Sequence, residues 1–137
     1  MRRDLDSLDP RFLPLAMALL ARCVEARIPV LIVNTRRTDA EQADAVARGV
    51  SWVARSKHQD GLAIDIVPYS IFTLHGDVKL EWDTSDRVWL TLGRLGENLG
   101  LRWGGRFRPI NTIGVGKDPG HFEKNYIDNS RVSPQTT

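Results

Sequence analysis

The sequence predicts an α+β domain with a small, mainly antiparallel sheet and flanking helices. Three observations carry that prediction. Apolar residues recur at helical spacing in two separate stretches. The run Leu62 to Val67 alternates with period two, as a strand does. Helices and strands intermix without the βαβ regularity that a parallel sheet requires.

The first helix is expected over residues 10–26. Asp9 suits the N-cap and Pro10 the first helical position. Leu13, Met17, Leu20 and Val24, with Ala16 and Cys23 beside them, form one apolar stripe. Pro14 lies close enough to the start for the helix to tolerate it. Pro29 stops that helix, and Val30-Leu31-Ile32-Val33 reads as a buried strand. Thr38 and Glu41 have the spacing of a capping box, which opens a short alanine-rich helix ending near Gly49. In the next strand Leu62, Ile64 and Ile66 face one side, Ala63 and Asp65 the other, and Pro68 ends it. Residues 70–80 read as a loop or weak hairpin turning at His75-Gly76-Asp77. A third helix is expected over residues 84–99, with Val88, Leu92, Leu95 and Leu99 on one face and Gly100 as terminator. The remainder is glycine-rich and irregular, with a short strand around residues 120–124.

Composition bounds the function without naming it. The 137 residues suit one domain with a core of its own, and 42% hydrophobic with 26% charged residues is ordinary for a globular protein. Residues 1–130 read as that single domain, and residues 131–137 as a disordered tail. Net charge is only +2, unevenly spread: the last third is basic, residues 59–100 acidic. That asymmetry would suit an anionic polymer, but no block of like charge stands out, and no nucleic-acid partner is expected. A single cysteine, Cys23, excludes an intrachain disulfide and sits at an apolar helical position. No apolar run is long enough to span a membrane, and the Met-Arg-Arg start leads into acidic residues and Pro10 rather than a signal peptide. The chain is therefore expected to remain in a reducing cytoplasm until something else releases it, and to act as a monomer.

The chemistry lies in two segments. Ser56-Lys57-His58-Gln59-Asp60-Gly61-Leu62-Ala63-Ile64-Asp65 sets a histidine and an aspartate seven apart around a glycine. Along a straight strand seven residues span about 23 Å, too far for two ligands of one metal; a turn at Gly61 removes the difficulty. Asp65 interrupts an apolar strand, which is costly unless a metal or an arginine pairs it. In Asp118-Pro119-Gly120-His121-Phe122-Glu123, a strand would put His121 and Glu123 on one face and Phe122 in the core, and Asp118 can fold back over that face. Two nitrogen ligands, one oxygen ligand and a spare carboxylate match a catalytic rather than a structural zinc site. Either segment alone is a weak signal, since a lone histidine is more often a structural or surface residue than a ligand, and Asp65 could pair with an arginine. His75 has no motif around it and reads as a surface loop residue.

Together, Ser-x-His-x-x-Gly-x-Ala-x-Asp and the later His-Phe-Glu resemble the zinc D-Ala-D-Ala carboxypeptidase and L-alanyl-D-glutamate endopeptidase family. That family includes vancomycin-resistance carboxypeptidases and phage endolysins, and shares its fold with the Hedgehog signalling domain. The resemblance runs over residues 10–125 and implies a zinc ion held by His58, Asp65 and His121, with Asp118 as the catalytic acid/base. Asn34-Thr35-Arg36-Arg37-Thr38 with Gln42 is similar to the family's Ser-Gly-Tyr-Arg-Ser…Gln segment, so Arg37 matches the arginine that binds substrate and steadies the oxyanion. The departure at Thr35-Arg36 leaves either Arg36 or Arg37 to point inward. Gln42, Ser56 and Trp103 are further candidate substrate contacts, with a core position the alternative for Trp103. Trp103-Gly104-Gly105 fits the family's pattern, and the glycines permit close backbone approach. Residues 106–117, with Pro109, Asn111, Gly114 and Gly116, read as a flexible stretch.

What the resemblance implies is hydrolysis of an amide bond in the peptidoglycan stem peptide. Compact size without an export signal favours an L-alanyl-D-glutamate endopeptidase working as a phage or prophage endolysin. A D-Ala-D-Ala carboxypeptidase, or a non-catalytic zinc-binding module of the same fold, are the alternatives, and Asp118 argues against the last.

Overall fold

The computed structural model describes residues 2–51, 55–69 and 83–125; the predicted loop at 70–80, His75 and the tail at 131–137 lie outside them. Along the chain run α1 (Leu13–Glu25), β1 (Val30–Asn34), α2 (Asp39–Ala47), β2 (Ala63–Pro68), α3 (Val88–Glu97), β3 (Arg102–Trp103) and β4 (His121–Glu123). The strands form one antiparallel sheet in the order β1-β2-β4-β3. Its register sets Asp65 opposite His121, Ile64 opposite Phe122 and Ala63 opposite Glu123. Pleating therefore sends Ile64 and Phe122 to one face and Asp65 and His121 to the other.

The apolar face packs on α1 and α3. Leu19, Ile64, Ile66, Leu92 and Phe122 are all buried in one continuous core with Phe12, Ala16, Cys23 and Trp89. On α3, Gly93 and Gly96 leave room for the rings of Trp103 and Phe122, which occupy the space a Cβ would need. Trp103 is thus a core residue, its indole Nε1 donating to Pro119 O at 2.7 Å.

Four expectations change. The buried stripe of α1 is Phe12, Ala16, Leu19 and Cys23, whereas Met17 and Val24 are 54% and 75% exposed. A helix with apolar residues on most of its circumference leaves the choice of buried arc to its partner. The helix also starts later, at Leu13: Asp9 uses its carboxylate on the Arg11 amide and its carbonyl on Phe12 and Leu13, making a turn instead of an N-cap. β1 is only half-buried, because among the described residues it is an edge strand that pairs with β2 alone. Finally, residues 106–117 are tied down rather than flexible. Asn111 Oδ1 accepts from the amides of Ile113 and Val115, its Nδ2 donates to Thr84 O, and Val115 is buried in the core.

The capping box forms as expected, with Thr38 Oγ1 accepting from Glu41 N and Glu41 Oε1 accepting from Thr38 N. Among the described residues no helix is long and apolar enough to cross a membrane.

Candidate metal centre

His58 reaches the sheet through a 3-10 turn over Lys57–Asp60. Ser56 opens it, its Oγ accepting from His58 N while Gln59 Oε1 accepts from Ser56 N. Gly61, at φ 72°, closes it in the left-handed region that glycine enters freely. That turn shortens the seven-residue separation, so that ligand atoms of His58, Asp65 and His121 lie within 4.8 Å of one another.

The hydrogen bonds around the cluster fix which atoms face its centre. His58 Nδ1 lies 2.6 Å from Thr35 O. A carbonyl only accepts, so Nδ1 carries the hydrogen, and in the neutral ring Nε2 is a lone pair. Nε2 is buried with no hydrogen-bond partner although it lies 3.1 Å from Asp65 Oδ2. With the ring neutral these are two acceptors 3.1 Å apart, and a cation, either a proton or a metal ion, must lie between them. On the other side His121 Nδ1 is 3.0 Å from Asp65 Oδ1 and its Nε2 is 2.7 Å from Glu123 Oε1. Asn34 Nδ2 donates to Asp65 Oδ2 at 2.8 Å and fixes that carboxylate from β1.

Charge follows the same logic. Burial would lower the His121 imidazole, but its hydrogen bonds to Asp65 and Glu123 outweigh this and push it up to about 10. Burial would raise the Asp65 carboxyl, yet His58 and His121 beside it hold it well below the usual carboxylate range. Glu123, which burial would also raise, is held low by His121. These shifts describe the protonated cluster; a divalent ion in place of its protons would be held by His58 Nε2, the Asp65 carboxylate and His121 Nδ1, with Thr35 O and Glu123 orienting the two rings from behind. Two nitrogens and one carboxylate leave a position open, the donor set of a catalytic zinc.

Asp118 stands beside this cluster, its Oδ2 3.9 Å from His121 Nδ1. Burial raises its carboxyl above the usual range, and the nearby Asp65 charge adds to that. It is brought there by the turn before β4, where His121 N donates to Asp118 O, and by Gly104, whose missing Cβ leaves space for that same carbonyl.

A cleft of about 880 Å³ opens over the cluster. Arg37, Ser56, His58, Asp65, Asp118 and His121 line it. Arg37 donates from Nη1 to Gln42 Oε1, and Gln42 is itself buried and bonded to Ser51. Gln42 thus holds the arginine rather than lining the cleft. Two further predicted contacts fall elsewhere. Arg36 turns away to carbonyls of Ser7, Gln59 and Asp60, and Trp103 packs in the core. Sequence reasoning assigned no part to Asn34 or to Glu123 as an orienting group. The period-two spacing from His121 signals Glu123, whereas Asn34 depends on pairing between strands 31 residues apart, for which the sequence carries no local signal.

The family model described as D-alanyl-D-alanine carboxypeptidase matches residues 49–124. No curated protein matches the chain. Among solved structures, an L-Ala D-Glu endopeptidase of Serratia marcescens, ChiX, is 22% identical, with 91% of this chain and 86% of that one covered and a TM-score of 0.63. A vancomycin-resistance D,D-pentapeptidase, VanY, in complex with Zn(II) is 23% identical over 85% and 71% of the two chains, TM-score 0.56. A complex of VanYB with D-alanine-D-alanine is 22% identical over 90% and 75%, with the same TM-score of 0.56. These likenesses show a shared α+β fold. Because the family match spans more than half of its residues, the chain belongs to the D-alanyl-D-alanine carboxypeptidase family, zinc-dependent hydrolases of peptidoglycan peptides.

Proposed function

We propose that this peptidase is an L-alanyl-D-glutamate endopeptidase that cuts inside the stem peptide and serves as a phage or prophage endolysin. Within that reading His58, Asp65 and His121 hold the zinc, Asp118 is the acid/base, and Arg37 binds substrate. The observation that carries the hydrolytic reading is His58 Nε2, buried without a hydrogen-bond partner 3.1 Å from Asp65 Oδ2, with the Asp118 carboxylate beside the same cluster. Support for an internal cut comes from the cleft wall. Residues before β2 (Arg37, Arg55, Lys57) and after α3 (Arg102, Arg106, Arg108, Lys117) bring seven cations to it, of which Arg55, Arg102 and Arg106 pair with Asp60, Glu123 and Glu97, against the lining carboxylates of Asp65, Asp118 and Glu123. Trimming one terminal residue needs a partner for one carboxylate. A wall this basic suits a peptide bearing several, as a stem with free glutamate carboxylates does.

Zinc, when bound, supplies a Lewis acid for the scissile carbonyl and a water acidified toward neutrality. Asp118, with its carboxyl raised by burial, takes the proton of the attacking water and returns it to the departing amine. Arg37, held by Gln42, faces the carbonyl oxygen as it gains charge. Release from the host cytoplasm would precede action on the wall, and a single copy would suffice.

The family model's own description favours a second reading, removal of terminal D-alanine. Mass spectrometry of fragments released from purified peptidoglycan, with and without chelator, separates the two. New L-alanine C-termini support the endopeptidase. Free D-alanine without them would replace it with the carboxypeptidase, and absence of any chelator-sensitive release would leave a metal-binding module without activity.

A further inference from the structure

Arg36 lies next to the arginine of the cleft and faces the opposite way. Its Nε donates to Ser7 O at 2.8 Å, Nη1 to Gln59 O at 3.1 Å and Nη2 to Asp60 O at 3.2 Å. Two of these carbonyls belong to the 3-10 turn that carries His58, and the third to the N-terminal segment. Carbonyls at the end of a helical turn lack partners within it and attract a cation. A guanidinium meets several at once, because its donors form a rigid planar fork that stays charged.

The surroundings are shaped to that side chain. At Gly61 a Cβ would come within 2.6 Å of Arg36 Nη2 and 2.7 Å of Asp9 N. Backbone bonds join the same pieces: Arg37 N donates to His58 O at 3.1 Å, Asp9 N to Gly61 O at 3.0 Å, and Thr35 N to Arg2 O at 2.7 Å. The hydrogen bond that directs the His58 ring runs from Nδ1 to Thr35 O, at 2.6 Å. That direction is only as firm as the join between residues 35–37 and the turn at 57–60.

We propose that Arg36 is a positioning residue of the metal centre: its guanidinium locks the Lys57–Asp60 turn against the end of β1 and so aims His58 Nε2. Metal affinity then depends on a side chain that touches neither metal nor substrate. The inference goes beyond the peptidase reading and stands whichever bond is cut, because its test reads metal binding and not hydrolysis.

The test uses the full chain stripped of metal and three variants: Arg36→Ala, Arg36→Lys and, as a control in the core of α1, Leu19→Ala. Zn(II) affinity is measured in competition with a chromophoric chelator, the Co(II)-loaded protein is followed by its visible spectrum, and thermal melting is recorded for all. Arg36→Ala should bind Zn(II) about ten- to a hundred-fold more weakly, the usual loss on removing an outer support of a metal ligand, and should alter the Co(II) spectrum. Arg36→Lys, which keeps the charge without the fork, should fall in between. Leu19→Ala should melt lower yet keep its Zn(II) affinity within about two-fold, since its side chain lies in the apolar core on the other side of the sheet and takes no part in the hydrogen bonds of the site. The proposal fails if both Arg36 variants bind within that same margin of the parent with an unchanged spectrum. It fails equally if Leu19→Ala loses as much affinity as Arg36→Ala, because general stability would then be the cause. Should Arg36→Ala not fold, Arg36→Lys decides alone on the same readouts.

Discussion

Behind the sheet, Ile64, Ile66 and Phe122 are buried among other apolar side chains; in front of it, His58, His121 and Glu123 are almost as completely buried among charges and lone pairs. The two environments are one residue apart, Ile64 beside Asp65 and His121 beside Phe122. What holds each side differs. At the back the requirement is volume: Phe122 fills a space that Gly96 keeps open, and another apolar residue of similar size would serve. At the front it is the count of donors and acceptors, and His58 Nε2 is buried without a hydrogen-bond partner, 3.1 Å from Asp65 Oδ2. A small domain can afford such a polar layer because the apolar one behind it fixes the strands that carry it.

Substitutions on the front should separate chemistry from metal binding with the largest effects. His121→Ala should lose both bound zinc and hydrolysis, whereas Asp118→Ala should keep zinc and lose about 10²- to 10⁴-fold in rate, as removal of a general acid/base does. Metal content beside peptidoglycan turnover measures both. Undiminished turnover by a folded Asp118→Ala protein would end its assigned role. On the back, Phe122→Ala should cost about 3–5 kcal/mol of stability, read from chemical denaturation. A much smaller loss would mean that α3 collapses onto the space and that packing there is less specific than its geometry implies.

A subtler change tests whether the front depends on its outer groups. Glu123→Gln keeps shape but removes the charge facing His121 Nε2, and should weaken zinc by about 10- to 100-fold with little change in melting temperature. Equal zinc affinity would show that Glu123 only fills space. The smallest effect lies at the edge of the cleft, where Arg106 donates twice to Glu97 at 2.9 Å and holds its carboxyl below the usual value. Because the folded state lowers that value, the pair's stability is present above the ordinary glutamate range and is lost as pH falls through Glu97's own. Both side chains are partly exposed, so the pair is worth less than about 1 kcal/mol. Comparing the parent with Glu97→Gln at about pH 7 and about pH 3 should show the difference shrinking on acidification; a constant difference would rule the ion pair out as its source.

Much of this protein is local and could be read in one dimension. The Thr38–Glu41 capping box, the alternation through Ile64, Asp65 and Ile66, and the placement of Phe122 between His121 and Glu123 all follow from helical or two-residue periods acting over a few residues. The convergence of His58, Asp65 and His121 was legible too, because Gly61 announced the turn that shortens the gap. Tertiary structure decided the rest. It chose which apolar arc of α1 is buried, sent Trp103 to the core, and tied residues 106–117 through Asn111 to Thr84. It also turned Arg37 to the cleft and Arg36 to the carbonyls of the His58 turn. Two adjacent arginines have the same chemistry, and only the partners that folding brings to each can tell them apart.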